Sequence, residues 1–318
     1  MERVFSQSDV VITTPFLAKA VSNWGFQPNS IIFDEFANWQ DPDVFSVFLD
    51  LPNTERALFV GDNKQLCPLA FTAEGRKAWC HSLYDRFLER GIAFTRLNVQ
   101  YRTYRPIYEM TSRVFYGIVQ SSAPDSTADI DRMLRRNALS VPTEDGRSYR
   151  IRSAIGFLDV GHRATDTTPS HSMFNTHEAL ISLVFAYQLW QHGISATDIM
   201  ILSPYRGQVQ TIMRYLAAPR FADIRTCRVR TVDESQGSES KVVIVTFARN
   251  TGYLPTFIHT TQRVNVMTSR AQEAVFFVGD WAWVTKRLSS TRGNKLCEAM
   301  LFYQNASANG PQFRIRAS

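Results

Sequence analysis

The amino-acid sequence predicts an α/β fold built on parallel sheets, and three observations carry that expectation. Short, uniformly apolar runs alternate with amphipathic stretches along the chain. The amphipathic stretches are punctuated as helices, with Gly91 and Gly193 placed as C-terminal caps. Polar motifs follow directly on apolar runs, where the strands of a parallel sheet present their carboxyl ends.

A first series of buried strands is expected at Val10–Thr13, Ile31–Phe33 and Ala57–Val60, with helices at Pro15–Trp24 and Pro42–Leu51 between them. A helix over His81–Arg90 then ends at Gly91. A second series of strands is expected at Arg96–Val99, Ile155–Val160, Ile199–Ser203, Val229–Val232, Lys241–Phe247 and Val275–Val278. Its clearest helix opens at Asn175, three residues before Glu178, the spacing of a capping box. The polar segment Ser121–Arg152 reads as a surface excursion. The first series has only three strands before the second begins, which suggests that the front half of its domain is absent. The domains expected are therefore 1–92, 93–285 and a tail, 286–318.

With 318 residues, 44% of them hydrophobic and 20% charged, the chain can build two real cores and is not of disordered composition. A net charge of +6 suits a polyanionic partner without requiring one. The four cysteines, Cys67, Cys80, Cys227 and Cys297, show no paired spacing. That argues against a zinc module or a disulfide framework and suits a reducing compartment, with the thiols buried and inert. The first nine residues lack the apolar core of a signal peptide, and no apolar run approaches the roughly 20 residues of a membrane span. A soluble, intracellular protein is expected, cytoplasmic or nuclear.

The chemistry is concentrated at strand ends. Asp34 and Glu35 follow Ile31–Phe33 at once; two carboxylates so placed can hold a magnesium ion and position an attacking water. Gly61–Pro68 ends the next strand, and Gln65 within it is a neutral donor able to touch a terminal phosphate, although a simple turn would look the same. Arg102 and Arg270 could stabilise charge on a transferred phosphoryl group, although a lone arginine is more often a solvated one. The polar stretch Thr231–Gly237, with Glu239 beyond it, links two buried strands and reads as a ligand-binding loop or a tight connection.

Taken in order, the motifs are Asp-Glu-x-Ala, Gly-Asp-x-x-Gln-Leu-x-Pro, Val-Gln-Tyr-Arg, Ser-Pro-Tyr-x-Gly-Gln, Val-Asp-x-x-Gln-Gly-x-Glu and Asn-Val-x-x-(Thr/Ser)-Arg-Ala. This series resembles superfamily 1 helicases of the up-frameshift type, the branch of the nonsense-mediated-decay helicase, over about residues 9–285. The UvrD-type branch fits less well, since it usually carries Lys-Gly where Gln236 and Gly237 stand. The resemblance implies RecA-like parallel sheets: an incomplete first motor domain followed by a complete second one. It also implies ATP and magnesium as cofactors of the complete motor, and single-stranded nucleic acid, RNA or DNA, as partner.

By that resemblance Asp34 would hold magnesium through water and Glu35 would act as general base. Gln65 would contact the γ-phosphate, and Arg102 and Arg270 would be the arginine fingers. Gln236, Gly237 and Glu239 fall at nucleotide-binding positions. Thr13 and Thr14, the loop from Ser203 through Pro204 and Tyr205 to Gln208, and Thr231 fall at strand-contacting or coupling positions, where contacts would be sequence-independent and salt-sensitive.

There are departures. No G-x-x-x-x-G-K-[ST] loop is present, and Gly-Lys occurs nowhere in the chain. The family's usual Met-His-Pro after Tyr-Arg is replaced by Thr103–Pro106, and Gln272 stands where many members have a second arginine. Three readings follow: part of a working helicase motor; a catalytically silent module that binds single strands or regulates an intact helicase; or a degenerate, truncated duplicate whose half sheet leaves an apolar face uncovered. The partners expected are thus nucleic acid and an intact helicase or a missing N-terminal half, with no membrane. For this chain alone no meaningful ATP hydrolysis is expected.

Overall fold

The computed structural model describes residues 2–68, 72, 74–75, 81–117, 120–121, 129–251, 258, 260–286, 294–307 and 312–318. The chain divides into two compact units, Met1–Arg96 and Leu97–Ser318.

In the first unit, α1 (Glu2–Phe5) and α2 (Ala18–Asn23) precede β1 (Ser30–Phe33); α3 (Asp41–Asp50) crosses to β2 (Arg56–Phe59), and α4 (Leu83–Glu89) follows. β1 and β2 run parallel, Ile31 opposite Ala57 and Phe33 opposite Phe59. Parallel neighbours need such a crossover, because a tight turn can only reverse the chain. The core lies on one face of the pair, where Phe33 and Phe36 pack with Val44 and Val47 of α3. The Phe33 and Phe59 rings stack at 5.1 Å. The other face is bare: Ile32 is 69% and Leu58 56% exposed. α4 opens with a reciprocal capping box between Ser82 and Asp85, and Gly91 beyond it takes φ +68°, a left-handed conformation that favours glycine.

The second unit begins with β3 (Val99–Gln100), α5 (Arg105–Thr111) and β4 (Gln120–Ser121), and continues with α6 (Asp129–Arg136) and the hairpin β5 (Leu139–Pro142) and β6 (Ser148–Ile151). Next come β7 (Ile155–Asp159), the short hairpin β8 (Asp166–Thr167) and β9 (Met173–Phe174), and α7 (Thr176–Gln191). Then follow β10 (Ile199–Ser203), α8 (Arg206–Leu216), β11 (Arg228–Thr231) and β12 (Ser240–Thr246). The last elements are α9 (Thr261–Ser269), β13 (Ala271–Gly279), α10 (Trp281–Lys286), α11 (Lys295–Ala306) and β14 (Arg314–Ile315).

Six of these strands form one parallel sheet in the order β11-β10-β12-β13-β7-β14. Both faces of its centre are covered. On β13, the Phe276 ring meets Phe185 of α7 at 4.7 Å on one side, while its neighbour Phe277 meets Tyr303 of α11 at 6.2 Å on the other. Successive strand residues point to opposite faces, so a strand covered twice must be apolar at every position. That is why β10 and β12 read as unbroken apolar runs. The α/β class with parallel sheets is as expected, two-stranded in the first unit and six-stranded in the second. No helix among the described residues is long and apolar enough to cross a membrane.

Three expected elements are corrected. Val10–Thr13 forms no strand; Val10 is 77% and Ile12 96% exposed, and no strand among the described residues pairs with it. Of Arg96–Val99 only Val99 enters a strand. The expected surface excursion Ser121–Arg152 also contributes to the core: residues 122–128 lie outside the described residues, but Ile130, Leu134, Leu139, Val141, Tyr149 and Ile151 are buried. The arginines there occupy the outer positions of α6 and of the alternating hairpin strands, while Asp131 is buried and accepts from Ala154 N at 2.8 Å. Residues 287–293 and 308–311 of the expected tail lie outside the described residues, while β14 from the same segment is an edge strand of the large sheet. Cys227 and Cys297 are buried free thiols and Cys67 is half-buried; Cys80 lies outside the described residues.

Candidate functional site

The exits of β1 and β2 lock together by backbone. Val60 N donates to Phe33 O at 2.9 Å and Phe36 N to Val60 O at 2.8 Å. A Cβ on Gly61 would lie 2.9 Å from Ala37 N and 3.0 Å from Phe36 N, so this close approach demands glycine. Between the two exits Glu35 adopts φ +51°, an uncommon left-handed conformation for a residue with a side chain. Its amide donates to Asp34 Oδ1 at 3.0 Å, and Trp39 Nε1 donates to Asp34 O at 2.9 Å. Buried Phe36 anchors the turn, leaving Asp34 exposed and Glu35 half-buried above it.

On the β2 side, Asp62 organises the next turn. Its carboxylate accepts from Lys64 N at 2.9 Å and from Gln65 Nε2 at 3.0 Å. Tyr84 donates its hydroxyl to Gly61 O, and burial, then the Asp62 charge, raise its pKa. Asp34, Glu35 and Gln65 therefore stand at the carboxyl ends of two adjacent parallel strands. Thr13 and Thr14 are both exposed on the segment before α2, and Thr14 makes no side-chain cap bond to the turn that follows.

In the second unit, Gln100 folds back so that its Oε1 accepts from Arg102 N at 3.0 Å and Thr103 N at 2.8 Å. The Arg102 guanidinium is ion-paired with Glu239. The other Glu239 carboxylate oxygen accepts from Gln272 Nε2 at 2.7 Å, and its carbonyl accepts from Arg228 Nη2 at 2.7 Å. Gln272 thus does local work here: it braces the carboxylate that holds Arg102. Arg270 is only 2% exposed, its guanidinium donating to Ser269 Oγ at 3.0 Å. Ser240 N donates to Arg270 O, so Arg102, Glu239 and Arg270 gather where β12 and β13 begin. Gln236 is half-buried, and Gly237 takes φ +72°.

Thr231 and Ser203 sit at the opposite, carboxyl edge of the same sheet, paired across β11 and β10. Thr231 is committed to its own turn: its amide donates to Glu234 Oε2 at 3.0 Å and its Oγ1 accepts from Glu234 N at 3.2 Å. These bonds, first the backbone amide of Thr231, hold the Glu234 pKa down. Ser203 and Tyr205 are buried and Pro204 is half-buried, so their side chains are turned inward rather than toward a strand. Burial raises the Tyr205 pKa. Gln208 is also buried, bonded to both backbone groups of Asn175 at 2.7 and 3.2 Å and to Thr246 Oγ1 at 3.1 Å.

One buried group was not singled out from sequence. Glu178, assigned to a capping box, is fully buried, and its Oε2 instead accepts from Thr246 Oγ1 at 2.6 Å and Ala248 N at 2.8 Å. The box is therefore half made, with the Asn175 side chain accepting from Glu178 N but no return bond. Desolvation pushes the Glu178 pKa up to about 7. The carboxyl pins the exit of β12 and the left-handed Ala248, at φ +60°. An apolar helix with a single acid on its buried face was the available signal, masked by the stronger capping pattern.

A model of the AAA domain family matches residues 80–282, more than half of the chain. The chain belongs to the AAA domain family. The match takes in Arg102, Ser203, Thr231, Gln236, Glu239 and Arg270, and begins after Asp34, Glu35 and Gln65. Among relatives of this AAA-domain chain, an uncharacterized ATP-dependent helicase of Methanocaldococcus jannaschii is 25% identical over 88% of this chain and 40% of its own length. A regulator of nonsense transcripts 1 homolog of Arabidopsis thaliana is 24% identical over 88% of this chain and 22% of its own. The chain spans between 10% and 40% of the length of the curated relatives considered. Among solved structures, an arterivirus nonstructural protein 10 (helicase) in complex with DNA aligns at TM-score 0.39 and 13% identity, covering 80% of this chain and 40% of that one.

The AAA-domain chain offers only part of what a nucleotide and its metal need. Among the described residues no group of three metal-ligating side chains exists. Magnesium keeps several waters and takes one or two carboxylates plus phosphate oxygens. Exposed Asp34, with one oxygen already accepting a backbone amide, fits such a water-mediated contact. The sequence, however, contains no glycine-rich phosphate loop with its lysine.

Proposed function

We propose that this chain is the phosphate-loop-lacking portion of an ATP-dependent superfamily 1 nucleic-acid helicase motor of the up-frameshift type, and that these 318 residues alone are hydrolytically silent. The observation that carries the reading is the interlocked pair of exits of β1 and β2, which presents Asp34 and Glu35 on a strained, glycine-dependent turn and Gln65 on the Asp62 turn that follows β2. Strain of that kind is retained where a side chain must be aimed.

ATP with magnesium would supply the phosphoryl group and the charge that neutralises it. Asp34 would orient magnesium-bound water, and Glu35 would take the proton of the attacking water at its carboxylate. Gln65 would report the terminal phosphate through the Asp62 turn. Arg102 and Arg270 of the second unit would stabilise charge in the same cycle, Arg102 on leaving Glu239. Gln236 and Gly237 would line the nucleotide. Thr13, Thr14, Thr231 and the Ser203–Gln208 loop would act in strand contact or coupling, with Ser203 and Gln208 serving through the backbone they fix.

The test is a paired assay of the chain as it stands. Salt-dependent binding of a labelled single-stranded oligonucleotide, with no ATP turnover, is the expected result. Absence of binding at low salt would remove the nucleic-acid part of the reading. ATP turnover that Glu35→Gln abolishes would keep the site assignment and overturn the silence of the chain.

A further inference from the structure

Because all six strands of the large sheet are parallel, their carboxyl ends share one edge, and the loops leaving that edge carry arginines. Arg206 follows β10, Arg249 follows β12, Arg163 follows β7 and Arg316 follows β14. Thr231 closes β11 on the same edge. Neighbouring strands lie about 4.8 Å apart, so the five steps from β11 to β14 span about 24 Å, room for several nucleotides.

The row is physically continuous. Asn250 donates to the Arg163 carbonyl and accepts from Thr165 Oγ1 at 2.9 Å, tying the loop after β12 to the loop after β7. The Arg249 charge also opposes the burial that raises the Tyr205 pKa, which places Arg249 near the loop after β10. At the far end, a cavity of about 530 Å³ opens beside the β5–β6 hairpin, with Arg163, Arg316, His162 and His177 in its wall.

Acids share this edge, and most of them are already engaged: Asp280, after β13, pairs with His162 at 3.4 Å, while Asp166 beyond Arg163 is exposed. Glu234 is engaged by Arg206 at 3.0 Å and by Thr231 N. Asp145 is held by its neighbour Arg147 at 2.6 Å, and Asp159 by Arg314 at 2.5 Å. Glu144 on the hairpin turn opposes the row. Arg316 stands off at 4.0 Å from Asp159 and is 69% exposed at its side chain. Arg163 is exposed, and neither it nor Arg249 has a carboxylate in ion-pair range among the described residues. Burial, then the charge of Arg163, hold the half-buried His177 below its ordinary pKa, which places the Arg163 charge beside the cavity wall.

We propose that this arginine row is a phosphate track. On it, the backbone of a single nucleic-acid strand passing Thr231 and the Ser203–Gln208 loop continues over Arg249 and Arg163 to Arg316 beside the hairpin cavity. The track rests on the nucleic-acid reading given above and extends it to Arg163, Arg249 and Arg316, which lie outside the motif series read from the sequence. Contacts of this kind are sequence-independent, and each phosphate neutralised contributes about 0.7 to the slope of log affinity against log salt for single strands.

The experiment measures anisotropy of a fluorescein-labelled oligothymidylate, long enough to span the edge, across a salt series. Combining Arg163→Ala, Arg249→Ala and Arg316→Ala should flatten the slope by about 2 and weaken low-salt binding by about tenfold or more. The corresponding Lys replacements should restore most of both, which a merely misfolded variant could not do. Combining Arg214→Ala, Arg220→Ala and Arg225→Ala, at the other end of the sheet, removes the same charge and should leave the slope in place. A wild-type slope in the Arg163/Arg249/Arg316 triple variant would overturn the track and spare the nucleic-acid reading. No salt-dependent binding by the unaltered chain would overturn both.

Discussion

The two units use the same kind of strand in opposite circumstances. β1 and β2 are apolar and parallel like the strands of the large sheet, yet Ile32 and Leu58 face solvent, whereas on β13 both Phe276 and Phe277 are fully buried. An apolar run specifies that a strand can be covered on two faces; it does not supply the cover. Parallel sheets are found buried on both sides, so the first unit presents a face that in the second has been filled by helices. Both of these exposed strand side chains belong to the unit that holds Asp34, Glu35 and Gln65.

That contrast can be broken most sharply in the second core. Phe276→Ala removes a ring packed edge-on against Phe185, and should cost about 3–5 kcal/mol in denaturant titration. A loss near the level of a surface substitution would mean that the second core is far looser than its burial implies.

The next effect is a pH dependence carried by Glu178. Its folded pKa of about 7 lies above the ordinary 4.5. The folded state therefore holds its proton more tightly, and the associated stability is present below pH 4.5 and lost as pH rises to about 7. The swing is on the order of 3 kcal/mol. Glu178→Gln should flatten this part of the stability profile and raise stability at pH 8 relative to the parent. An unchanged profile would show that the acid is not desolvated.

In the first unit, Gly61→Ala forces a Cβ against the Ala37 and Phe36 amides and should cost about 1–3 kcal/mol. Its melting temperature should fall while the Arg102–Glu239 region is untouched. The smallest effect belongs to the bare face: Leu58→Ser should change stability by less than about 0.5 kcal/mol. It should also lower the aggregated fraction in light scattering, because an exposed apolar face next to open strand edges invites association.

Much of this was legible from residues alone. Ile199–Ser203 and the helix from Asn175 toward Gly193 could be read because periodicity and caps agree there. Asp34, Glu35 and Gln65 could be placed at strand ends because the apolar runs before them are unambiguous. Val10–Thr13 misled, since an apolar run becomes a strand only beside another strand. The stretch Ser121–Arg152 misled in the other direction: its charges dominate composition, while the alternation of Leu139, Val141, Tyr149 and Ile151 carries the fold. Glu178 and the Arg102–Glu239–Gln272 chain could not be read, because they depend on which segments meet, and polar side chains far apart in sequence carry no periodic signal.

The edge strand β14 has one further consequence, for the order of assembly. Arg314 grips Asp159 across 155 residues of sequence, and Ile315 pairs with Leu158 in the same ladder. β7 is made early and must wait for the polypeptide containing β8 through β13 before its outer neighbour exists. Contacts so distant along the chain close slowly, and until they do the outer edge of β7 stays open. The second unit should therefore fold with a late, rate-limiting step at that edge.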